Sequence, residues 1–131
     1  MGQQQLLLII LGVIIVGIAI AVGLSLFSAQ SVQANKDAIT NDLNNLAANA
    51  YQFRIRPSSM GGGNNSYAGY TIPSKLRTNE NASYSISTAG SATGISFMGT
   101  SIQNSTNTVS VSIGTDGRSI SGGWSYLGDF Q

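Results

Sequence analysis

The side chains able to do acid–base or nucleophilic work are few. The chain has no histidine and no cysteine, so the commonest general base, a thiolate nucleophile and the usual Cys/His zinc sites are all missing. Five carboxylates remain: Asp37, Asp42, Glu80, Asp116 and Asp129. The first two stand far in sequence from the other three, and no spacing pairs an acid with a base. Gly61-Gly62-Gly63 is followed by Asn64-Asn65 rather than by Lys and Ser or Thr, so it is no phosphate-binding P-loop. These residues point away from an enzyme and imply no metal and no cofactor. Three triplets, Asn64-Asn65-Ser66, Asn81-Ala82-Ser83 and Asn104-Ser105-Thr106, match the N-glycosylation pattern. In a chain so rich in Asn and Ser such matches arise easily by chance.

With little chemistry to position, the elements themselves carry the information. The 131 residues hold six basic and five acidic side chains, a charged fraction of 8% and a net charge of +1. Soluble proteins carry about a quarter charged residues. There is no basic field to attract nucleic acid and no acidic tail.

Residues 6–24 read LLLIILGVIIVGIAIAVGL, nineteen apolar positions in a row, and no charge appears before Lys36. Such a run crosses a bilayer as a helix, at about 1.5 Å per residue. It is longer than the apolar stretch of a secretory signal, and its start, MGQQQ, lacks the basic n-region. One explanation is that a basic leader has been removed and Met1 begins the mature chain. Gly12, Gly17 and Gly23, with Ala19 and Ala21, interrupt the Leu/Ile/Val carpet. Small residues let helix backbones approach closely in an apolar medium.

The helix is expected to continue past the apolar run. From Ser25 to Arg54 there is no Pro and no Gly, and Val32, Ile39, Leu43, Leu46, Ala50 and Phe53 make a heptad-like apolar stripe. Gln33, Asn35, Asp37, Asn41, Asp42, Asn44, Asn45 and Asn49 are assigned to the opposite, polar face. Asn and Asp are mediocre helix formers, so packing must hold this segment. Pro57 ends it, because the residue before Pro is pushed out of the helical region. The whole helix is then about 50 residues, or roughly 75 Å.

Residues 56–82 read as a loop rich in Ser, Gly, Asn and Tyr, with one short strand near 70–72. Beyond it, period-2 alternation marks strands at Tyr84, Ile86 and Thr88; at Ile95 and Phe97, with Ile102 nearby; and at Val109, Val111 and Ile113. An Asp116-Gly117 turn leads back through Ile120 and Trp124. A four-stranded antiparallel meander with one apolar face follows, and that face needs a cover. The only stripe available is the helical one, so Val32, Ile39, Leu43, Leu46 and Phe53 are expected to pack on Val111, Ile113 and Trp124. The expected fold is α+β: a long N-terminal helix, apolar in its first half (1–27) and amphipathic in its second (28–55), then a loop region (56–82) and a small antiparallel sheet (83–131).

This order of elements resembles the type IV pilin superfamily, which includes pilus subunits and the pseudopilins of type II secretion. The residues that carry the resemblance are MGQQQLLLIILGVIIVGIAIAVGLSLF and the helix that follows to Phe53. The resemblance implies the structural subunit of an extracellular filament, stored in the cytoplasmic membrane before assembly and polymerised through its apolar helix. It implies Gln5, Leu7, Ile10, Gly12, Ile14, Val16, Gly17, Ile20, Gly23 and Phe27 as the filament-core residues, and Met1 as the site of processing and methylation. It implies a prepilin peptidase and an assembly ATPase as partners, beside further copies of the chain. Glycans on the exposed Ser/Thr/Asn surface would suit such a filament, and nucleic acid is not required.

The sequence departs from the family in three places. Bacterial pilins usually carry Glu where Gln5 stands, and Gln offers hydrogen bonds without the charge. Many have a Pro within the apolar helix; here Gly17 and Gly23 are the candidates for local unwinding. The disulfide-bounded loop common in the family cannot form without cysteine. The rival readings are a minor pseudopilin of a secretion system and a single-pass membrane protein whose β-domain binds a ligand. The aromatic residues Phe27, Tyr51 and Phe53 are expected to fill core and interface gaps rather than to carry electrons.

Overall fold

The structure, a computed structural model, describes residues 2–131 apart from the side chain of Ser121. Helix α1 (Gly2–Ile55) is followed by a 3₁₀ turn (Ser58–Met60) and a short helix α2 (Ser74–Arg77). Strands β1 (Ala82–Thr88), β2 (Ile95–Ser101), β3 (Thr108–Ile113) and β4 (Ser119–Leu127) come next, and a 3₁₀ turn (Gly128–Phe130) closes the chain. The fold is α+β. The chain divides into two compact units between Gln33 and Ala34.

In the second unit the strands pair antiparallel in the order β1-β2-β3-β4. Because side chains alternate across a strand, the register sorts them onto two faces. Tyr84 lies opposite Gly99, Phe97 opposite Val111 and Val111 opposite Trp124, all on the inner face. Ser85 opposite Met98, Met98 opposite Ser110, and Ser110 opposite Ser125 lie on the outer face. There Ser96 and Ser112 share a hydroxyl hydrogen bond of 2.7 Å. The sequence alternation is this two-sided sheet written out along the chain.

The inner face is covered by the part of α1 that belongs to this unit. Ile39, Leu43, Leu46 and Ala50 are each 0–1% exposed, as are Phe97, Val109 and Ile113. Gly99 permits the approach: a Cβ there would stand 2.7 Å from Ile39 Cγ2 and 2.9 Å from the Tyr84 ring. The loop region is more than a connection, since Tyr67, Tyr70 and Ile72 are buried in the same core. Phe53 of the helix meets Tyr70 edge to face at 5.4 Å, and Tyr70 meets Phe97 of β2 at 5.9 Å. One aromatic column therefore ties helix, loop and sheet together.

Three expectations change. Residues 70–72 form no strand; Tyr70 and Ile72 are held by burial, and the regular element nearby is α2. Ile102 and Ile120 are about half exposed. Ile102 lies past the end of β2, and Ile120 lies where four residues of β4, 120–123, oppose the single residue Ser112. Such a bulge breaks the alternation that pattern reading relies on. Asn35, assigned to the polar face of the helix, is buried.

Gly63 stands where a side chain does not fit, since a Cβ there would lie 1.8 Å from Ser66 O. Its N–H donates to Phe53 O at 2.8 Å, Asn65 N–H to Arg54 O at 2.7 Å and Asn64 N–H to Arg56 O at 3.0 Å. A helix end leaves its last carbonyls unpaired, and this loop folds back to satisfy them. Asn64 and Asn65 take left-handed backbone angles (φ 49° and 69°) that Asn tolerates better than other side chains.

The close approach at Gly99 yields a direct test. Gly99→Val should force the helix and Tyr84 apart and cost about 1–3 kcal/mol of stability, the usual range for overpacking. Thermal melts of the detergent-solubilised full chain should show it, with Ser85→Val on the opposite face of the sheet as the nearly neutral comparison.

Candidate assembly surface and the polar clamp of the sheet unit

In the first unit, the large apolar side chains at positions 6–27 all leave more than half of their surface uncovered, from 52% at Ile14 and Val22 to 73% at Phe27. Leu7, Ile10, Val16 and Ile20 share this exposure, and Gln5 is exposed as well. A Cβ built at Gly12, Gly17 or Gly23 would meet nothing within 4 Å. The helix runs unbroken through all three glycines. On an α-helix Gly12, Ala19 and Gly23 fall on one side, at spacings of seven and four, while Gly17 and Ala21 share another. The segment is long enough and apolar enough to cross a membrane, and a signal sequence would pass the same test. Met1, expected as the processing and methylation site, lies outside the described residues.

The second unit holds its part of the helix by a line of polar groups. Asn35, Asp42 and Asn49 are spaced seven apart and so lie along one side of α1. Asn35 Oδ1 accepts from Ser101 Oγ at 2.7 Å, and its Nδ2 donates to Asn81 O at 3.3 Å. Asp42 Oδ2 accepts from Tyr84 OH at 2.5 Å, from Asn79 Nδ2 at 2.7 Å and from Asn81 Nδ2 at 3.4 Å. Asn49 Oδ1 accepts from Tyr70 OH at 2.7 Å. Asn35 takes the end of β2 and the turn entering β1, Asp42 takes that same turn and Tyr84 of β1, and Asn49 takes the loop. The signal was present in the heptad spacing of these three residues beside the apolar stripe, but Asn and Asp on a helix read as solvent-facing by default.

Asn79 prepares the turn that Asp42 grips. Its Oδ1 accepts from the N–H groups of Asn81 at 2.8 Å and Ala82 at 3.0 Å. Asn79 and Asn81 thus spend their side chains on entry into β1. At the other edge Lys36 Nζ lies 4.2 Å from the centre of the Tyr126 ring, which stacks on Trp124.

Of the residues expected at the helix–sheet contact, Ile39, Leu43, Leu46, Val111 and Ile113 are buried, while Phe53 and Trp124 are half-buried. Val32 falls in the first unit. Tyr67, Tyr70 and Phe130 also belong to the core, and composition marked them only as loop or tail residues. The carboxylates have separate tasks. Asp116 accepts from Arg118 N–H in the β3–β4 turn, and Asp129 accepts from Asn107 Nδ2 near the closing turn. Among the described residues no three acidic side chains gather to hold a metal ion.

The buried tyrosines carry a pH signature. Burial pushes the Tyr70 phenol from its ordinary value of 10 to about 12. Burial raises Tyr84 as well, reinforced by its hydrogen bond to Asp42 and by that carboxylate's charge. Tyr67, whose OH donates to Gly114 O at 2.6 Å, is raised by burial against the opposing charge of Arg54.

No family model, no curated protein and no solved structure matches this chain.

Two outcomes are expected here. Asp42→Ala leaves the Tyr84 hydroxyl and two amides without an acceptor and should cost about 2–4 kcal/mol, in line with hydrogen bonds to a charged group. In a double-mutant cycle with Tyr84→Phe, the two losses should fall short of additive by more than about 0.5 kcal/mol. The second outcome is alkaline. The neutral phenols are favoured by the fold, so their contribution is complete below pH 10 and is lost as pH rises through the folded values, from 10 towards 12 for Tyr70. Melting temperature should hold up to that window and then fall. The fall should be shallower in Tyr70→Phe, and tyrosinate absorbance should follow unfolding.

Proposed function

We propose that this chain is the structural subunit of an extracellular pilus-like filament that polymerises through the apolar half of α1. The observation that carries the reading is the helix itself: apolar and uncovered on every side in residues 6–24, yet continuous with a segment that is packed and hydrogen-bonded in the sheet unit. The resemblance to type IV pilins rests on the same order of elements.

Left in water, the apolar half would be ruinous. Burying one Leu or Ile side chain is worth about 1.5–3 kcal/mol, so the run as a whole stands for tens of kcal/mol. Lipid satisfies that demand and so does a bundle of identical helices. Exchange between the two brings almost no hydrophobic gain, because lipid tails are as apolar as leucine. Close backbone approach at the small residues, with Gly12, Ala19 and Gly23 on one side, then decides whether helices prefer each other to lipid. Removal from the membrane requires work, for which the resemblance implies an ATPase. Once assembled, the filament resists dissociation into water. Gln5 supplies amide hydrogen bonds near the start of the helix, so register depends on these and on apolar packing rather than on an ion pair.

The uncharged Ser/Thr outer face of the sheet suits a surface in contact with water. Membrane anchoring of a monomer uses the same apolar run, and the test must separate the two.

Ile14→Asp places a charge that costs about 2.5–3.5 kcal/mol at the centre of an apolar helix, and it should abolish filaments seen by electron microscopy of sheared cell-surface material. The sheet unit should keep its thermal transition. Gly12→Leu with Ala19→Leu keeps the run apolar and removes the close contact; it should also abolish filaments while leaving the protein in the membrane. Abundant filaments from either variant would refute the proposal, and a wild-type chain found only as a detergent-soluble monomer would favour the anchor.

A further inference from the structure

The three Asn-X-Ser/Thr triplets sit in different surroundings, and those of Asn104 and Asn81 contrast most. We infer that Asn104 is a site of N-linked glycan attachment, and that Asn81 is not.

Asn104 stands in the loop between β2 and β3, where residues 102–106 are all exposed. The loop is fixed at its base and open at its tip. Ser101 N–H donates to Asn107 O at 2.9 Å, and Asn107 Oδ1 accepts from Asp129 N–H at 2.8 Å. Asn107 N–H returns to Asn104 O at 3.0 Å and closes a tight turn. Within that turn Asn104 Oδ1 accepts both the N–H of Thr106 at 3.1 Å and its hydroxyl at 2.8 Å. The oxygen of the amide is therefore occupied. Its Nδ2, the atom that forms the bond to sugar, has no hydrogen-bond partner among the described residues. The third residue of the triplet is Thr, with its hydroxyl already beside the acceptor amide.

The Asn81 triplet spends these same groups on structure. Asn81 is half-buried, donates from Nδ2 to Asp42 and accepts on its carbonyl from Asn35 and from Ile102 N–H. Its neighbour Ala82 is fully buried in the core. Substitution at Asn81 Nδ2 would break the clamp. Asn64 is exposed and bonds Arg56 O through its backbone N–H, while Ser66, the third residue of its triplet, accepts on Oγ from Ala68 N–H at 3.1 Å. That triplet lacks the hydroxyl-to-amide contact that Thr106 makes with Asn104.

The donor is a polyprenyl phosphate- or pyrophosphate-linked oligosaccharide. Asn104 Nδ2 forms a bond to C1 of the first sugar, the C1–O bond to phosphate breaks, and its electron pair leaves with the lipid phosphate. Nδ2 gives up one proton, and no atom changes oxidation state overall. The inference rests on the export proposed above, because the sheet unit must reach the membrane face where such donors are used.

The test is peptide mass spectrometry, with fragmentation that keeps glycans attached, of the full chain purified from its own cells. Protease treatment of intact cells is run in parallel. The expected result is a chain open to protease whose Asn104 carries a sugar mass, while Asn81 is bare. Asn104→Gln and Thr106→Val should each return the intact mass to that of the polypeptide, whereas Thr106→Ser should retain the addition. A protease-accessible chain with bare Asn104 overturns this inference alone, as does a sugar on Asn81. A chain shielded from protease in intact cells overturns the export reading and this one with it.

Discussion

A four-stranded sheet with one apolar face must have that face covered, and here the cover is a single stretch of helix. Every other feature of the second unit answers to that constraint. Ile39, Leu43, Leu46 and Ala50 supply the apolar contact, and Gly99 leaves out a side chain that would hold the helix away. The loop region adds Tyr67, Tyr70 and Ile72, since one helix is narrower than four strands. Helices and strands lie about 10 Å from their packing neighbours, and the tyrosines fill what α1 leaves open.

Apolar packing holds the helix to the sheet but says little about register along its axis. The line of Asn35, Asp42 and Asn49 adds that information. Each of its hydrogen bonds is directional and the partners come from the end of β2, the turn entering β1, β1 itself and the loop, so a shift of one turn would break all three sets together. Buried polar groups are costly unless satisfied, which makes them good at rejecting wrong alignments. The same groups explain why an Asn-rich segment with poor helix propensity is helical here: three of its polar residues are structural ligands for the sheet unit rather than solvent contacts.

The first half of α1 obeys the opposite logic. Nothing among the described residues covers it, and its side chains are chosen for an apolar surrounding on every side. Filament assembly and membrane residence are two ways to satisfy one need, and small residues bias the choice towards other helices. The polar unit has no such need. Its outer strand face carries hydroxyls, Asp42, Asp116 and Asp129 are used singly in the clamp and in turns, and its exposed β2–β3 loop leaves an amide facing water.

Much of this was readable from residue order alone. The apolar run, the stripe at Ile39, Leu43, Leu46 and Ala50, the break at Pro57 and the alternation of Val109, Val111 and Ile113 each express a local period, and local periods survive without knowledge of neighbours. That is why the α+β class and the order of elements could be read in advance. The role of Asn35, Asp42 and Asn49 could not, because a polar residue on a helix is buried or exposed according to what approaches it from distant sequence. Tyr67 and Tyr70 carry no periodic signal, and Ile120 sits where a bulge cancels it. The difference among the three Asn-X-Ser/Thr triplets is of the same kind. Sequence determined that three acceptor patterns exist; only the tertiary structure decided that Asn81 is bound to Asp42 and that the Asn104 amide is left open, because hydrogen bonds between distant segments form only once the chain has folded.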